Sequence, residues 1–93
     1  MRLDVLELVF DDENAMKIGA REIAPTHVLE VLDGEPRFFA NRRERRASHV
    51  MVGPTLGGRL LVVPIEDWGP GIWRPVTAFD ANAWQARRYR SAL

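Results

Sequence analysis

The run Arg59-Leu60-Leu61-Val62-Val63-Pro64-Ile65 lies between two turn-forming stretches, Gly53-Pro54-Thr55-Leu56-Gly57-Gly58 and Glu66-Asp67-Trp68-Gly69-Pro70-Gly71. A short apolar run closed at both ends by glycine and proline reads as a strand between two hairpin loops. Because it is apolar on both faces, it belongs at the centre of a sheet. Its expected partners are Ala47 to Val52 before it and Ile72 to Phe79 after it. Pro64 has no N–H to give to a ladder, so a bulge is expected there.

The flanks read differently. Leu3 to Phe10 is a first strand. Asp11-Asp12-Glu13-Asn14 opens a short helix to about Ala20, with acids in the first turn where they complement the helix dipole. Ala15, Met16 and Ile18 would be its apolar side. Ala24-Pro25-Thr26 starts a second helix, since proline suits the first helical position. Val28, Leu29, Val31 and Leu32 form its apolar stripe, and Gly34 before Pro36 is expected as a left-handed stop. Arg37 to Ala40 is a short strand, and Asn41 to Arg46 a charged turn. Asp80-Ala81-Asn82-Ala83 opens a closing helix with Arg87, Arg88 and Arg90 in its last turns. The expected fold class is α+β: a small antiparallel β-sheet with an N-terminal strand, two short N-terminal helices and a C-terminal helix. At 93 residues this is a single domain, 1–93.

Cysteine is absent, which points to a reducing, cytoplasmic compartment for a domain this small. With only His27 and His49, a structural zinc site is close to excluded, and neither a metal nor a cofactor is implied. The acids in Met-Arg-Leu-Asp-Val-Leu-Glu argue against a signal peptide, and no apolar run is long enough to span a membrane. The net charge of zero conceals an asymmetry. Residues 1–35 hold nine acids against three bases, and residues 36–93 hold ten arginines and no lysine against four acids. Arginine binds phosphate bidentately and stacks on bases, so the second half points to an anionic partner such as RNA. The plainer alternative is that these charges are solvated or paired within the molecule.

Several short motifs occur in an order that resembles the BrnT-like type II toxins, a family with a RelE-like ribonuclease fold. They are Phe10-Asp11-Asp12-Glu13-Asn14, Ile23-Ala24-Pro25-Thr26-His27-Val28 and Val31-Leu32-Asp33-Gly34-Glu35-Pro36. Further along come Val50-Met51-Val52-Gly53 with Gly57-Gly58-Arg59-Leu60-Leu61-Val62-Val63, then Arg74-Pro75-Val76-Thr77-Ala78 and Arg87-Arg88-Tyr89. Phe79 stands where the family usually has arginine, and Gln85-Ala86 where it has Glu-Arg. The family's Lys-His-Gly near the end of the first helix is absent. These departures bear on cleavage rather than on the fold. The resemblance implies a cytoplasmic ribonuclease toxin that cleaves RNA without a metal and is silenced by a cognate antitoxin.

Such cleavage needs a base for the 2′-hydroxyl, cations for the phosphorane-like charge and an acid for the leaving oxygen. Arg59 and Arg74 are the expected phosphate stabilisers. For Arg59 the alternative is a solvated hairpin arginine, and for Arg74 an ion pair with Glu66 or Asp67. Glu66 is a candidate base and His49 a candidate acid or base, against a loop carboxylate and a semi-buried strand histidine. Arg42, Arg43, Arg45 and Arg46 are expected to contact RNA, or else to form a solvated patch. Trp68, beside Gly69, is expected to be exposed and to suit RNA stacking or a protein interface. Tyr89 and Trp84 read as packing residues, and His27 as structural.

Three functions compete. One is the ribonuclease toxin. The second is a catalytically inactive BrnT-like module that binds RNA or protein. The third is an interaction domain whose acidic and basic halves pair between the subunits of a homodimer.

Overall fold

A computed structural model describes residues 1–92, with elements β1 (Glu7–Leu8), α1 (Asp12–Gly19), α2 (Pro25–Asp33), β2 (Arg37–Ala40), β3 (His49–Pro54), β4 (Leu60–Gly69), β5 (Ile72–Pro75), β6 (Phe79–Asp80) and α3 (Ala83–Ser91). The sheet runs β1-β5-β4-β3-β2, with β6 also pairing β4. The α+β expectation holds, and the apolar run is the central strand. All neighbours pair antiparallel except β1, which lies parallel to β5, so the sheet is mixed.

Alternation along the strands gives the sheet two unlike faces. Met51, Leu61, Val63, Ile65 and Trp73 point to one side. There they meet Ile18 of α1 and Val28 and Val31 of α2, and these residues form the core. Val50, Val52, Val62, Pro64, Glu66 and Arg74 belong to the other side, as the registers Val50↔Pro64, Val52↔Val62 and Glu66↔Arg74 require. α1 and α2 pack on the first face; only the acidic start of α1, at Asp11 and Glu13, reaches the second, where it meets Arg74. α2 lies close against β3 at Gly53. A Cβ there would sit 2.9 Å from Val31 Cγ1 and 3.3 Å from Pro36 Cα.

The helices start as their capping residues dictate. Asp11 accepts the Asn14 N–H at 2.9 Å and Asn14 Oδ1 accepts the Asp11 N–H at 2.8 Å, a reciprocal cap. Asn14 is fully buried and donates to the carbonyls of Val9 and Pro75, tying α1 to β1 and β5. Ala24 offers no side-chain acceptor before α2; instead His27 Nδ1 accepts the Ala24 N–H at 3.0 Å, a structural role. Asn82 and Gln85 cap α3 reciprocally. No residue of α3 is buried. It is held from outside, by the Tyr89 hydroxyl donating to the Glu35 carbonyl at 2.7 Å and by Arg88 lying 4.2 Å from the Phe39 ring centroid.

Four local expectations are corrected. Only Glu7–Leu8 of the first strand joins the ladder, flanked by bonds from Leu6 N to Gly71 O and Val9 N to Trp73 O. The strand expected over Ile72 to Phe79 breaks at residues 76–78, where Ala78 turns into the core. Gly34 ends α2 with φ −90°, not left-handed, and a Cβ there would sit tightly, 3.2 Å from the Glu30 carbonyl. The bulge lies at Asp67/Gly69, not at Pro64. Pro64 is tolerated because its carbonyl accepts Val76 N–H at 2.9 Å, so its missing donor faces the same side, where the ladder between β5 and β6 is already interrupted.

Candidate functional site

Arg74 on β5 is 3% exposed, and its guanidinium is fully engaged. Nε and Nη2 grip Asp11 at 2.7 and 3.0 Å, Nη1 donates to Glu66 at 3.1 Å, and Nη2 reaches Glu13 at 3.4 Å. Arg46 closes a second tier over the same acids, 2.9 Å from Glu66 and 3.2 Å from Glu13. Trp68 donates its indole N–H to Glu66 at 3.0 Å, and its ring centroid lies 5.7 Å from the Arg74 guanidinium. Arg74, Glu66, Arg46 and Trp68, named from the sequence, therefore come together. Asp11 and Glu13, which the sequence marks as helix-start acids within the Phe10–Asn14 motif and not as site residues, join them.

The electrostatics follow from this pairing. Asp11 is held down from 3.8 to about 2, first by its hydrogen bond from Arg74 and then by the Asn14 N–H. Arg74 is driven upward chiefly by Asp11. At Glu66 burial pushes the carboxyl up, but the hydrogen bonds from Arg46, Trp68 and Arg74 prevail and leave it lowered. A carboxylate held ionised in this way is a weak general base.

Arg59 makes a separate lock at the opposite end of β4. Nε and Nη2 clasp Asp80 at 2.6 and 2.9 Å. Nη1 and Nη2 donate to the carbonyls of Glu22 and Arg21 at 2.8 and 3.0 Å. Glu22 is left-handed at φ 59°, an unfavourable conformation for a residue with a Cβ, and Arg59 fastens that turn to β6. The hydrogen bond with Asp80 raises Arg59 and lowers Asp80. His49 lies elsewhere again, on the core side of β3. Its ring meets Trp73 edge-on at 5.4 Å, and its Nδ1 is 2.8 Å from the Ser48 hydroxyl. The four residues expected to be catalytic thus occupy three places, with only Arg74 and Glu66 in contact.

The second face of the sheet carries a cleft of about 670 Å³ between the strands, the 41–47 loop and α3. Its floor is apolar, formed by Val50, Val52, Val62 and Pro64, and its walls include Phe39, Phe79 and Trp84. Arg42, Arg45, Arg46 and Arg88 line it, and among the described residues no carboxylate does. The loop is shaped by Asn41, whose amide N–H donates to Ser48 O and whose side chain donates to Ala47 O, both at 2.9 Å. That leaves Arg42, Arg43 and Arg45 exposed, and among the described residues none of the three forms an ion pair.

Trp84 is 59% exposed at the cleft wall, not packed in the core, with Arg88 5.5 Å from its ring centroid. The signal for this was in the sequence: α3 has no apolar stripe and so cannot bury a tryptophan. Phe79, where the resemblance expects arginine, carries the Arg21 guanidinium 5.6 Å from its ring centroid.

Among the described residues no group of three or more histidine or acidic side chains is placed to hold a metal ion. No helix of the described residues is long and apolar enough to cross a membrane. Comparison with models of protein families and with curated proteins found no match to this chain.

Proposed function

We propose that this chain is a BrnT-like RNA-binding domain whose ligand is single-stranded RNA lying in the cleft on the second face of the sheet. The observation that carries this reading is the cleft's lining: four arginines over an apolar floor, and among the described residues no carboxylate in the lining itself. Arg42 and Arg45, without an ion pair among the described residues, can meet phosphate oxygens. Trp84 and the Arg88–Phe39 stack offer flat surfaces on which unpaired bases stack. The asymmetry between the halves is partly absorbed within the chain, since Asp11 and Glu13 of the acidic half pair with Arg46 and Arg74 of the basic half. This weakens the case for a homodimer held by those charges.

Metal-independent cleavage, as in a ribonuclease toxin, is the second reading. One observation favours it: Arg46 belongs both to the cleft and to the Glu66 cluster, so a phosphate in the cleft would lie close to that carboxylate. Against it stand Arg59 and Arg74, whose donors are already engaged, and the lowered Glu66. In either reading the partners are RNA and a cognate antitoxin, for which the open cleft is the natural surface to cover. The absence of cysteine fits a cytoplasmic setting.

The test is fluorescence anisotropy with a labelled single-stranded RNA at two salt concentrations, with the RNA then run on a denaturing gel. Binding that weakens with salt and is lost in Arg42→Ala/Arg45→Ala/Arg88→Ala supports the reading, because phosphate contacts release counterions. Binding indifferent to salt and to these substitutions would overturn it. A shortened RNA, produced in the presence of a chelator, would establish the ribonuclease.

A further inference from the structure

The cleft has a neighbour. Lys17, Ala20, Arg21, Val76 and Thr77 line a shallower groove of about 480 Å³ beside α1. Val76 and Thr77 line the cleft as well, so the two depressions meet across the segment where β5 gives way to β6. Val76 still donates to Pro64 O of β4 at 2.9 Å, but residues 76–78 fall between the registered pairs of β5 and β6 with that strand. Arg21 sits at the junction. Its Nη1 donates to the Thr77 hydroxyl at 2.9 Å, and its guanidinium faces Phe79, itself part of the cleft wall. These contacts aim the group without neutralising it, since among the described residues Arg21 has no carboxylate partner. Lys17 is half-exposed, and its one acidic neighbour, Glu13, is 3.8 Å away. An exposed pair at that separation is weak and readily exchanged.

We propose that single-stranded RNA runs on from the cleft, over Val76 and Thr77, into this groove, where Lys17 and Arg21 hold a further stretch of its backbone. The inference rests on the RNA-binding reading of the cleft and extends it. The cleft holds the first nucleotides through its arginines and aromatic walls. The groove has two cations and no aromatic side chain, so it takes phosphates and adds affinity without sequence preference. The chain thereby acquires a direction of passage across the sheet, from the 41–47 loop towards α1.

The experiment compares two labelled oligouridylates, one of about four nucleotides and one about twice as long, on the intact chain and on Lys17→Ala/Arg21→Ala. The longer RNA should bind the unaltered chain more tightly. In the double variant its affinity should fall to that of the shorter one, which should itself be unchanged. The slope of log affinity against log salt for the longer RNA should shrink by about 1.4, that is, about 0.7 for each phosphate no longer neutralised. Lys17→Glu provides a second variant that leaves the Arg21–Thr77 bond in place, and it should also lose the gain from length. Arg21→Lys, added back to an unaltered Lys17, should restore part of it. A double variant that melts like the unaltered chain and keeps the full gain would overturn the proposal. So would an unaltered chain that binds the short RNA but gains nothing from length, which would leave the cleft reading standing. Failure of both RNAs to bind would remove the cleft reading as well. Sedimentation of the same samples separates the remaining case: if the groove variants instead abolish self-association of the chain, the groove is a protein surface and the proposal fails.

Discussion

Arg74 and Glu66 face one another across the β4–β5 ladder, Nη1 to Oε1 3.1 Å, and the same guanidinium reaches Asp11, which is 63 residues away in the chain. This arrangement fastens the start of α1 to the middle of the sheet. It also removes Arg74 from the set of cations that can meet a ligand, because each of its three nitrogens already donates.

Arg74→Met is therefore expected to act on stability. The methionine fills much of the space, but Asp11 loses both of its bonds from Arg74, and Glu66, which is 13% exposed, keeps only Arg46 and Trp68 as donors. Removing one partner of a buried ion pair costs about 3 kcal/mol. Urea unfolding should show a lower midpoint by that amount with an unchanged slope. RNA binding measured at low temperature, where the variant is still folded, should persist. A variant as stable as the unaltered chain that no longer acts on RNA would instead place Arg74 in contact with the ligand.

The Asp11–Arg74 bond makes stability depend on acid. The Asp11 carboxyl is lowered from 3.8 to about 2 in the folded protein. A group lowered on folding contributes stability that is fully present above its unfolded value and is lost as pH falls through its folded one. The contribution should therefore be complete above about pH 5, fall as pH drops through about 2, and be gone near about pH 1. Carboxyl NMR should find the Asp11 midpoint near 2 in the unaltered chain and closer to 3.8 in Arg74→Met. An unshifted midpoint in the unaltered chain would mean that the bond does not form in solution.

Much of the fold was legible because it rests on local rules. The central strand announced itself through an unbroken apolar run between glycine turns. The helices did so through Asp11 and Asn82, whose capping depends only on residues three places on, and through Pro25 at the first position of α2. What stayed hidden depends on partners far away in the chain. Arg74 reads as a phosphate ligand until Asp11 is seen beside it, and Arg59 until Asp80 and the Glu22 turn are. His49 and Glu66 are both on strands facing the same ladder, yet the register His49↔Ile65 puts His49 on the core side and Glu66 on the cleft side, and no sequence pattern gives that register. The cleft was half legible. Arg42 to Arg46 signalled a cationic surface, whereas the wall formed by Trp84 and Arg88 required knowing that α3 lies against β2.

Gly53 makes a test of the packing between α2 and the sheet. Ala at this position would bring its methyl to 2.9 Å from Val31 Cγ1, and Val31 is fully buried and cannot swing away. Overpacking of this kind costs about 1–3 kcal/mol. Gly53→Ala should lower the thermal midpoint, and Gly53→Ala/Val31→Ala, which removes the clashing methyls, should recover less than the full loss because it empties part of the core. A neutral Gly53→Ala would show that α2 can lift from the sheet at no cost.

Trp84 and Arg45 line the same cleft but should contribute in ways that salt can separate. Arg45 is an exposed cation with no acidic partner among the described residues, so it would meet RNA at a phosphate, and without it binding releases fewer counterions. Trp84 is neutral and stacks on bases, so its contribution does not depend on salt. Arg45→Ala should weaken RNA binding and reduce the salt slope by about 0.7, while Trp84→Ala should weaken it by about 1–3 kcal/mol with the slope unchanged. Neither substitution should disturb folding, because α3 buries no residue and the 41–47 loop is held by Asn41 rather than by its arginines. Anisotropy titrations at several salt concentrations measure both quantities at once. If Trp84→Ala changed the slope, or Arg45→Ala left it alone, the assignment of phosphate to the loop and base to the helix would be reversed.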